Sequence, residues 1–377
     1  MAACSDHPNI ECLTYSAVRE VSGNAGDFTV TVAKRPRYIN ESLCTGCGEC
    51  TEKCPGKVPD EFNLGLAKRK SIFFHFAQAV PRIPVIDPTA CLMLTKGKCG
   101  VCQKKCGAGA IDFKQTEQLV KARVGTIVVA TGFDIYDASL ATEYGFGRIK
   151  NVLSSLQYER LISASGPSGG HLNKPSDGKP AHKIAYVLCV GSRDITSNNY
   201  CSALCCMYAA KDAMLAREHD AGSESFVFYT DTRCSGKGFW QYFEKARSEY
   251  GVNFIRGRVS RITEDHSGNP VMWYEDTKQR RAKTLTADMV ILANAIVPAF
   301  GTDKLAAMLG IELDKFGFIA TNSFSPTDTN RDGIFVAGCV GGPRDIAEAV
   351  AHASAAAARA AETVTREAAV PAIGNRG

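Results

Sequence analysis

The chain has 377 residues, 45% apolar and 22% charged, with a formal net charge of +5. That length allows two or three domains with a sizeable core, and no apolar run is long enough to span a bilayer. The start MAACSDHPNIE lacks the layout of a secretory signal, so the expectation is a cytoplasmic protein without membrane insertion. Charge is modest and dispersed; its one cluster, Lys68-Arg69-Lys70, reads as a solvated face, which argues against nucleic acid as a partner. Sixteen cysteines in a reducing compartment point to metal binding or redox chemistry ahead of disulfides.

In chain order, residues 10–39 alternate as strand, turn and strand, with IECLTYSAVREV, the turn SGNAGD and then FTVTVAK. The stretch CTGCGECTEKCP follows, spacing four thiols as C-x2-C-x2-C-x3-C-P: Cys44, Cys47, Cys50 and Cys54. A second quartet comprises Cys91, Cys99, Cys102 and Cys106. Closely spaced C-x2-C turns wrap sulfurs and backbone N–H groups around one corner of a cubane, and the fourth ligand comes from the other quartet. By that crossing rule Cys44, Cys47, Cys50 and Cys106 hold one [4Fe-4S] cluster, and Cys54, Cys91, Cys99 and Cys102 hold the other. Four thiolates also suit zinc, but three cysteines within seven residues followed by Cys54-Pro55 favour iron–sulfur. The second quartet is less regular: LMLTKGK separates Cys91 from Cys99, Gly107 follows Cys106, and Cys91 is the least regular ligand. Met93 and Lys96, in that insertion, read as packing and solvated residues.

Next, VGTIVVATG reads as a buried strand running into a tight turn at Thr131-Gly132, suited either to simple chain reversal or to close approach of a ligand. The Gly-, Pro- and Ser-rich loop SASGPSGGHLNKPSDGKPAHK marks a hinge, after which the strands IAYVLCV, FVFYTD, VNFIRGRVSRI and DMVILANAIVP alternate with helical stretches such as AAKDAMLAREH. This predicts an α/β, doubly wound sheet. Its first turn, CVGSRD, lacks G-x-G-x-x-G and opens a third thiol set, Cys189, Cys201, Cys205 and Cys206, read either as a further cluster or as buried core thiols. Arg193 would compensate the negative charge of a cluster or form a surface salt bridge, while Cys4, Cys12, Cys234 and Cys339 read as packing residues. Near the end, DGIFVAGCVGGPRDIAEAV gives a strand, a glycine-rich turn and a long helix starting near Asp345. Its N-terminal dipole suits a flavin ring and Asp332 could accept from a ribityl hydroxyl; a capped, closely packed helix explains the same residues.

Together, HPNIECLTYSAVREVSG, RPRYI, CTGCGEC, GKCGVCQKKC, IVVATGFD, SGGHLNKPSDGK, CVGSRD, YCSALCCMYAAK and DGIFVAGCVGGPRDI resemble the A-type subunits of the heterodisulfide reductase family along nearly the whole chain. The resemblance implies a thioredoxin-reductase-like flavoprotein with two dinucleotide domains and an inserted bacterial-type 2[4Fe-4S] ferredoxin module. The implied layout is an FAD-domain part at 1–39, the module at 40–115, an FAD-domain return at 116–155, a second doubly wound, NAD-domain-like unit at 156–297 and an FAD-domain end at 298–377. It further implies FAD at Thr131, Gly132, Asp332, Gly338, Gly342, Pro343, Arg344, Asp345 and Ile346, and a cluster near FAD on Cys189, Cys201, Cys205 and Cys206. The implied activity is oxidoreductase electron transfer between FAD and [4Fe-4S] clusters, bifurcating in some complexes. The implied partners are the B and C subunits of such a reductase and a hydrogenase or other electron-input subunit. The family's FAD domain begins with G-x-G-x-x-G, which this sequence does not contain; the expectation is either a split gene with a separate N-terminal FAD-binding piece, a misplaced start or a truncated product, and the chain alone is expected to hold FAD weakly. The alternative is a ferredoxin-like electron carrier, or a truncated fragment, with a vestigial flavin domain.

Overall fold

A computed structural model describes residues 2–369 and divides into two compact units, one comprising 1–23 and 27–124, the other 24–26 and 125–377. In the first unit Ser16–Asn24, Asp27–Lys34 and Gln118–Val124 form a three-stranded sheet with Asp27–Lys34 in the centre. Lys34 pairs with Gln118 in antiparallel register, so the intervening segment leaves and re-enters at adjacent positions of neighbouring strands. That is how a module is inserted without disturbing the sheet that carries it.

The module is small and thinly structured. Tyr38–Asn40 lies beside Ala110–Asp112 through the Ile39–Ile111 bridge, the short strands Ile72–Phe73 and Val85–Ile86 pair, and one-turn helices form at Glu49–Glu52 and Val101–Lys105. Its core contains Ile39, Ile72, Ile86, Ala110 and Ile111 together with the side chains of Cys50, Cys91 and Cys102. So few aliphatic residues form a marginal core, and small domains of this kind gain stability from metal ligation.

The second unit holds five parallel strands in the order Val152–Ser154, Met289–Asn294, Lys183–Val190, Glu224–Tyr229, Asn253–Arg256. Ile184, Ala185, Tyr186, Val187, Val290, Ile291 and Leu292 are all buried, the near-continuous apolar character of parallel strands covered on both faces. Helices Ser155–Ile162, Cys205–His219 and Phe239–Ser248 follow their strands, the first fixed by a capping box between Ser154 and Gln157. The expected α/β class is therefore present. An antiparallel sheet of Val259–Glu264, Pro270–Asp276 and Arg281–Thr286 adjoins it, so the predicted single run VNFIRGRVSRI is two strands in different sheets. A second parallel pair, Ile127–Val129 with Ile334–Val336, packs against the helix Ile346–Ala369.

The basic cluster corrects the solvated-face reading. Arg69 is largely buried, stacks 3.7 Å from the Phe73 ring centroid and pairs with Glu61 and Asp87. Lys70 Nζ donates to the Cys54 carbonyl at 2.7 Å, so the cluster braces the loop carrying a candidate ligand.

Candidate metal and cofactor sites

The helix Glu49–Glu52 carries Cys50 and leads to Cys54; the helix Val101–Lys105 carries Cys102 and leads to Cys106. The two helices pack together, and the Ile39–Ile111 bridge holds the chain just after Cys106 beside the approach to Cys44. Each quartet is thereby split between two hollows. One is lined by Cys44, Cys47, Cys50 and Cys106, the other by Cys54, Cys91, Cys99 and Cys102. Burial pushes the Cys50 thiol up to about 12, reinforced by Cys102, Cys44, Cys106 and Cys47. Burial likewise pushes Cys102 up to about 11, with Cys91, Cys54 and Cys99 adding to it. Coordination to iron reverses that tendency by deprotonating the thiol outright. The Ala110 N–H donates to Cys106 Sγ at 3.3 Å, the kind of contact that tunes a cluster's potential. Gly46 turns the first loop at φ +69°, where an added Cβ would lie 2.6 Å from the Arg82 carbonyl oxygen.

Among the described residues no three His, Cys, Asp or Glu side chains form a group suited to one metal ion. A cubane sets its four thiolates at the corners of a wider tetrahedron than a single ion does, and this donor chemistry fits the two hollows.

In the second unit Cys189 lies at φ +62° where the register of Lys183–Val190 against Met289–Asn294 shifts between Val187 and Val190, an irregularity that re-aims a side chain. Cys201 precedes the helix that begins at Cys205, so it approaches from a loop and not from a preceding helical turn. Burial raises the Cys189 thiol, pushes Cys205 up to about 12 and pushes Cys206 up to about 11, with Cys201 adding to all three and Cys189 to the other two. The Ala203 N–H donates to Cys201 Sγ and the Arg233 N–H to Cys206 Sγ, at 3.3 and 3.4 Å. Arg193 faces Cys189 and also forms the anticipated salt bridge, with Asp231. Cys234, expected only to pack, has its thiol close enough to influence Cys206; its separation from the set in the chain carries no signal of that. Ser202 Oγ accepts from the Ile296 N–H at 2.9 Å, and Ile296–Pro298 pairs with Phe133–Ile135. The third thiol set is thus one strand pair away from Gly132.

Thr131 and Gly132 follow Ile127–Val129, and Gly338 follows the parallel Ile334–Val336, with the Ala337 N–H donating to the Val129 carbonyl at 2.9 Å. The two turns therefore leave the same end of one strand pair. Gly132, Gly338 and Gly342 have φ of +76°, +72° and +125°, and a Cβ at any of them meets nothing within 4 Å, which leaves backbone open to a ligand. Arg344 braces the turn through the Gly338 and Gly342 carbonyls. Asp345 and Glu348 cap the helix reciprocally, while Ile346 is exposed. Asp332 departs from this group: it is exposed and precedes the strand, at the opposite end from Gly338. A three-residue strand is long enough to separate the two positions, so the structure does not bring Asp332 to the turns. His352, which no sequence motif singles out, accepts from the Gly338 N–H through Nδ1 at 3.0 Å and contacts the Pro326 carbonyl through Nε2 at 2.8 Å. That pairing assigns the proton to Nε2 and fixes the turn from behind.

Residues 37–60 match the 4Fe-4S binding domain family. The chain is 44% identical over 361 residues to the A-type iron–sulfur subunit of the CoB–CoM heterodisulfide reductase of Methanocaldococcus jannaschii, covering 95% of this chain and 54% of that protein. It is 45% identical to the second A-type iron–sulfur subunit of the same enzyme in Methanopyrus kandleri, covering 96% and 55%. A thioredoxin reductase from Lactococcus lactis aligns with a TM-score of 0.44 and 16% identity over 78% of this chain and 86% of that one. The chain spans about half the length of the curated relatives it matches. Among the described residues no helix is long and apolar enough to cross a membrane.

Proposed function

We propose that this chain, a homologue of the A-type subunits of heterodisulfide reductase along nearly its whole length, is an electron-transfer oxidoreductase subunit that carries three [4Fe-4S] clusters and works with FAD. The observation that carries the reading is the crossing of the two quartets, Cys106 joining Cys44, Cys47 and Cys50, and Cys54 joining Cys91, Cys99 and Cys102. Crossed ligation is the signature of two-cluster ferredoxins.

When bound, the clusters and FAD supply one-electron steps and the exchange of an electron pair for single electrons. The protein's own part is positioning. Cys47 and Cys99 are exposed while Cys50, Cys91 and Cys102 are buried, so each hollow presents one edge to solvent, where a partner could exchange electrons. Cys189, Cys201, Cys205 and Cys206 form the third site, with Arg193 offsetting the charge that a thiolate-bound cluster would carry. The turns at Thr131-Gly132 and Gly338–Ile346 would orient the flavin ring, the N-terminus of Ile346–Ala369 favouring negative charge on it. The proposed partners are the B and C subunits of a heterodisulfide-reductase-like complex together with an electron-input protein, and the cytoplasm is the proposed compartment.

The test is an anaerobic reductive titration of the cluster-loaded chain, with FAD and a separately expressed N-terminal FAD-binding segment of a relative. Flavin bleaching accompanied by paramagnetic cluster signals supports transfer between them. Flavin reduction that leaves every cluster silent, although dithionite reduces them, overturns it.

A further inference from the structure

Lys70 ends the short strand Lys68–Lys70 of the module and is half-buried. It has no carboxylate partner among the described residues, and its Nζ donates instead to the Cys54 carbonyl at 2.7 Å. Its neighbour Arg69 differs, because Glu61 and Asp87 offset that charge. Cys54 lines the second hollow with Cys91, Cys99 and Cys102, so the Lys70 ammonium keeps its full charge beside that hollow. A fixed positive charge there stabilises the form of a cluster that carries one more electron.

The surrounding charges point the same way. No acidic residue lies in the chain between Asp87 and Asp112, and Asp87 is paired with Arg69 at 3.0 Å. Lys96 and Lys98 come just before the exposed Cys99, and both are exposed without an ion pair among the described residues. Beside the first hollow, Glu49 and Glu52 lie on the helix that carries Cys50, set against the exposed Arg82, whose Nε donates to the Gly46 carbonyl at 3.2 Å. Exposed charges are screened by solvent and salt, so half-buried Lys70 weighs most. Burial does not separate the hollows: Cys50 and Cys102 are both 8% exposed, and each hollow has one exposed thiol. The Ala110 N–H contact to Cys106 Sγ favours the first cluster, but as a neutral dipole against a full charge.

We propose that Lys70 is a positioning residue that sets the reduction potential at Cys54, Cys91, Cys99 and Cys102 above that at Cys44, Cys47, Cys50 and Cys106. An electron entering the module then comes to rest beside the exposed Cys99. The inference rests on the crossed two-cluster reading. One electron passes from the reduced first cluster to the oxidised second, no bond or proton moves, and dithionite is the electron source in the test. Lys70 acts through its charge and its hold on the Cys54 carbonyl.

The experiment is a redox titration of the anaerobically prepared, cluster-loaded chain followed by electron paramagnetic resonance, the two module signals being assigned with Cys47→Ala and Cys99→Ala. The signal lost in Cys99→Ala is expected to appear first on reduction. Lys70→Gln keeps a donor for the Cys54 carbonyl and removes the charge. It should shift that cluster about tenfold toward its oxidised form, which is about 59 mV downward for a one-electron couple. The other midpoint should stay in place, and Lys70→Arg should keep the wild-type order. Iron content checks that both clusters are retained; should Lys70→Gln lose iron, Lys98→Glu carries the same direction, with a smaller shift that shrinks in high salt. Earlier reduction of the signal lost in Cys47→Ala overturns the proposal. So does a Lys70→Gln midpoint that stays put or moves equally in both clusters. Fewer than two cubane signals from the module of the wild-type chain overturns the two-cluster reading, and the proposal with it.

Discussion

Cys106 makes the two quartets interlock, since it sits nearest in sequence to Cys102 yet lines the hollow of Cys44, Cys47 and Cys50. Cys106→Ala should therefore abolish the same electron paramagnetic resonance signal as Cys47→Ala, whereas Cys54→Ala should abolish the signal lost in Cys99→Ala. Each variant should lose about four of its irons. If Cys106→Ala instead matched Cys99→Ala, the quartets would be uncrossed. At the third set, Cys201→Ala or Cys205→Ala should lower iron and change the spectrum, while Cys234→Ala should do neither. Unchanged iron with only a lower melting temperature would make them core thiols. The gathering of the eight thiols at two hollows was legible because C-x2-C spacing dictates local wrapping. Cys234 and His352 were not, because each reaches its partner through tertiary packing that leaves no sequence period.

The one-turn elements around the hollows depend on backbone that only glycine adopts easily. Gly46→Ala places a Cβ against the Arg82 carbonyl at positive φ, and should cost about 1–3 kcal/mol, read as a fall in thermal midpoint and iron retention. A second prediction concerns the helix Cys205–His219, where Asp212 is buried with its carboxylate 3.2 Å from Lys211 Nζ but without a well-directed hydrogen bond to either oxygen. Burial, helped by Glu159 and opposed by Lys211, raises the Asp212 pKa well above its usual value. A carboxyl raised in the folded state binds more protons there than when unfolded, so its contribution declines as pH rises from about 4 toward the folded value. Asp212→Asn should flatten that decline and raise the melting temperature increasingly between about pH 6 and pH 8. A wild-type and variant difference that stayed constant over that range would contradict the assignment. Strong strands such as Lys183–Val190 and Met289–Asn294 were legible from apolar runs. The split between Asn253–Arg256 and Val259–Glu264 was not, since both halves carry strand-like composition and only the sheet partners separate them.

For the whole molecule, strand patterns flank a segment of different composition, and the Lys34–Gln118 pairing brings the two ends of that segment together. The turns at Gly132 and Gly338 were legible as glycine-rich punctuation, whereas the placement of Asp332 depended on which end of a three-residue strand faces the turns. No G-x-G-x-x-G cradle occurs in this sequence, so FAD affinity should be low in the chain alone and rise when a relative's N-terminal FAD-binding segment is supplied. Tight, stoichiometric FAD without that segment would reveal another pyrophosphate site. The most direct measurement is the iron, zinc and acid-labile sulfide content of anaerobically prepared protein. Three thiol sets predict about twelve irons and about twelve sulfides per chain, without stoichiometric zinc. Stoichiometric zinc with no acid-labile sulfide would contradict the account.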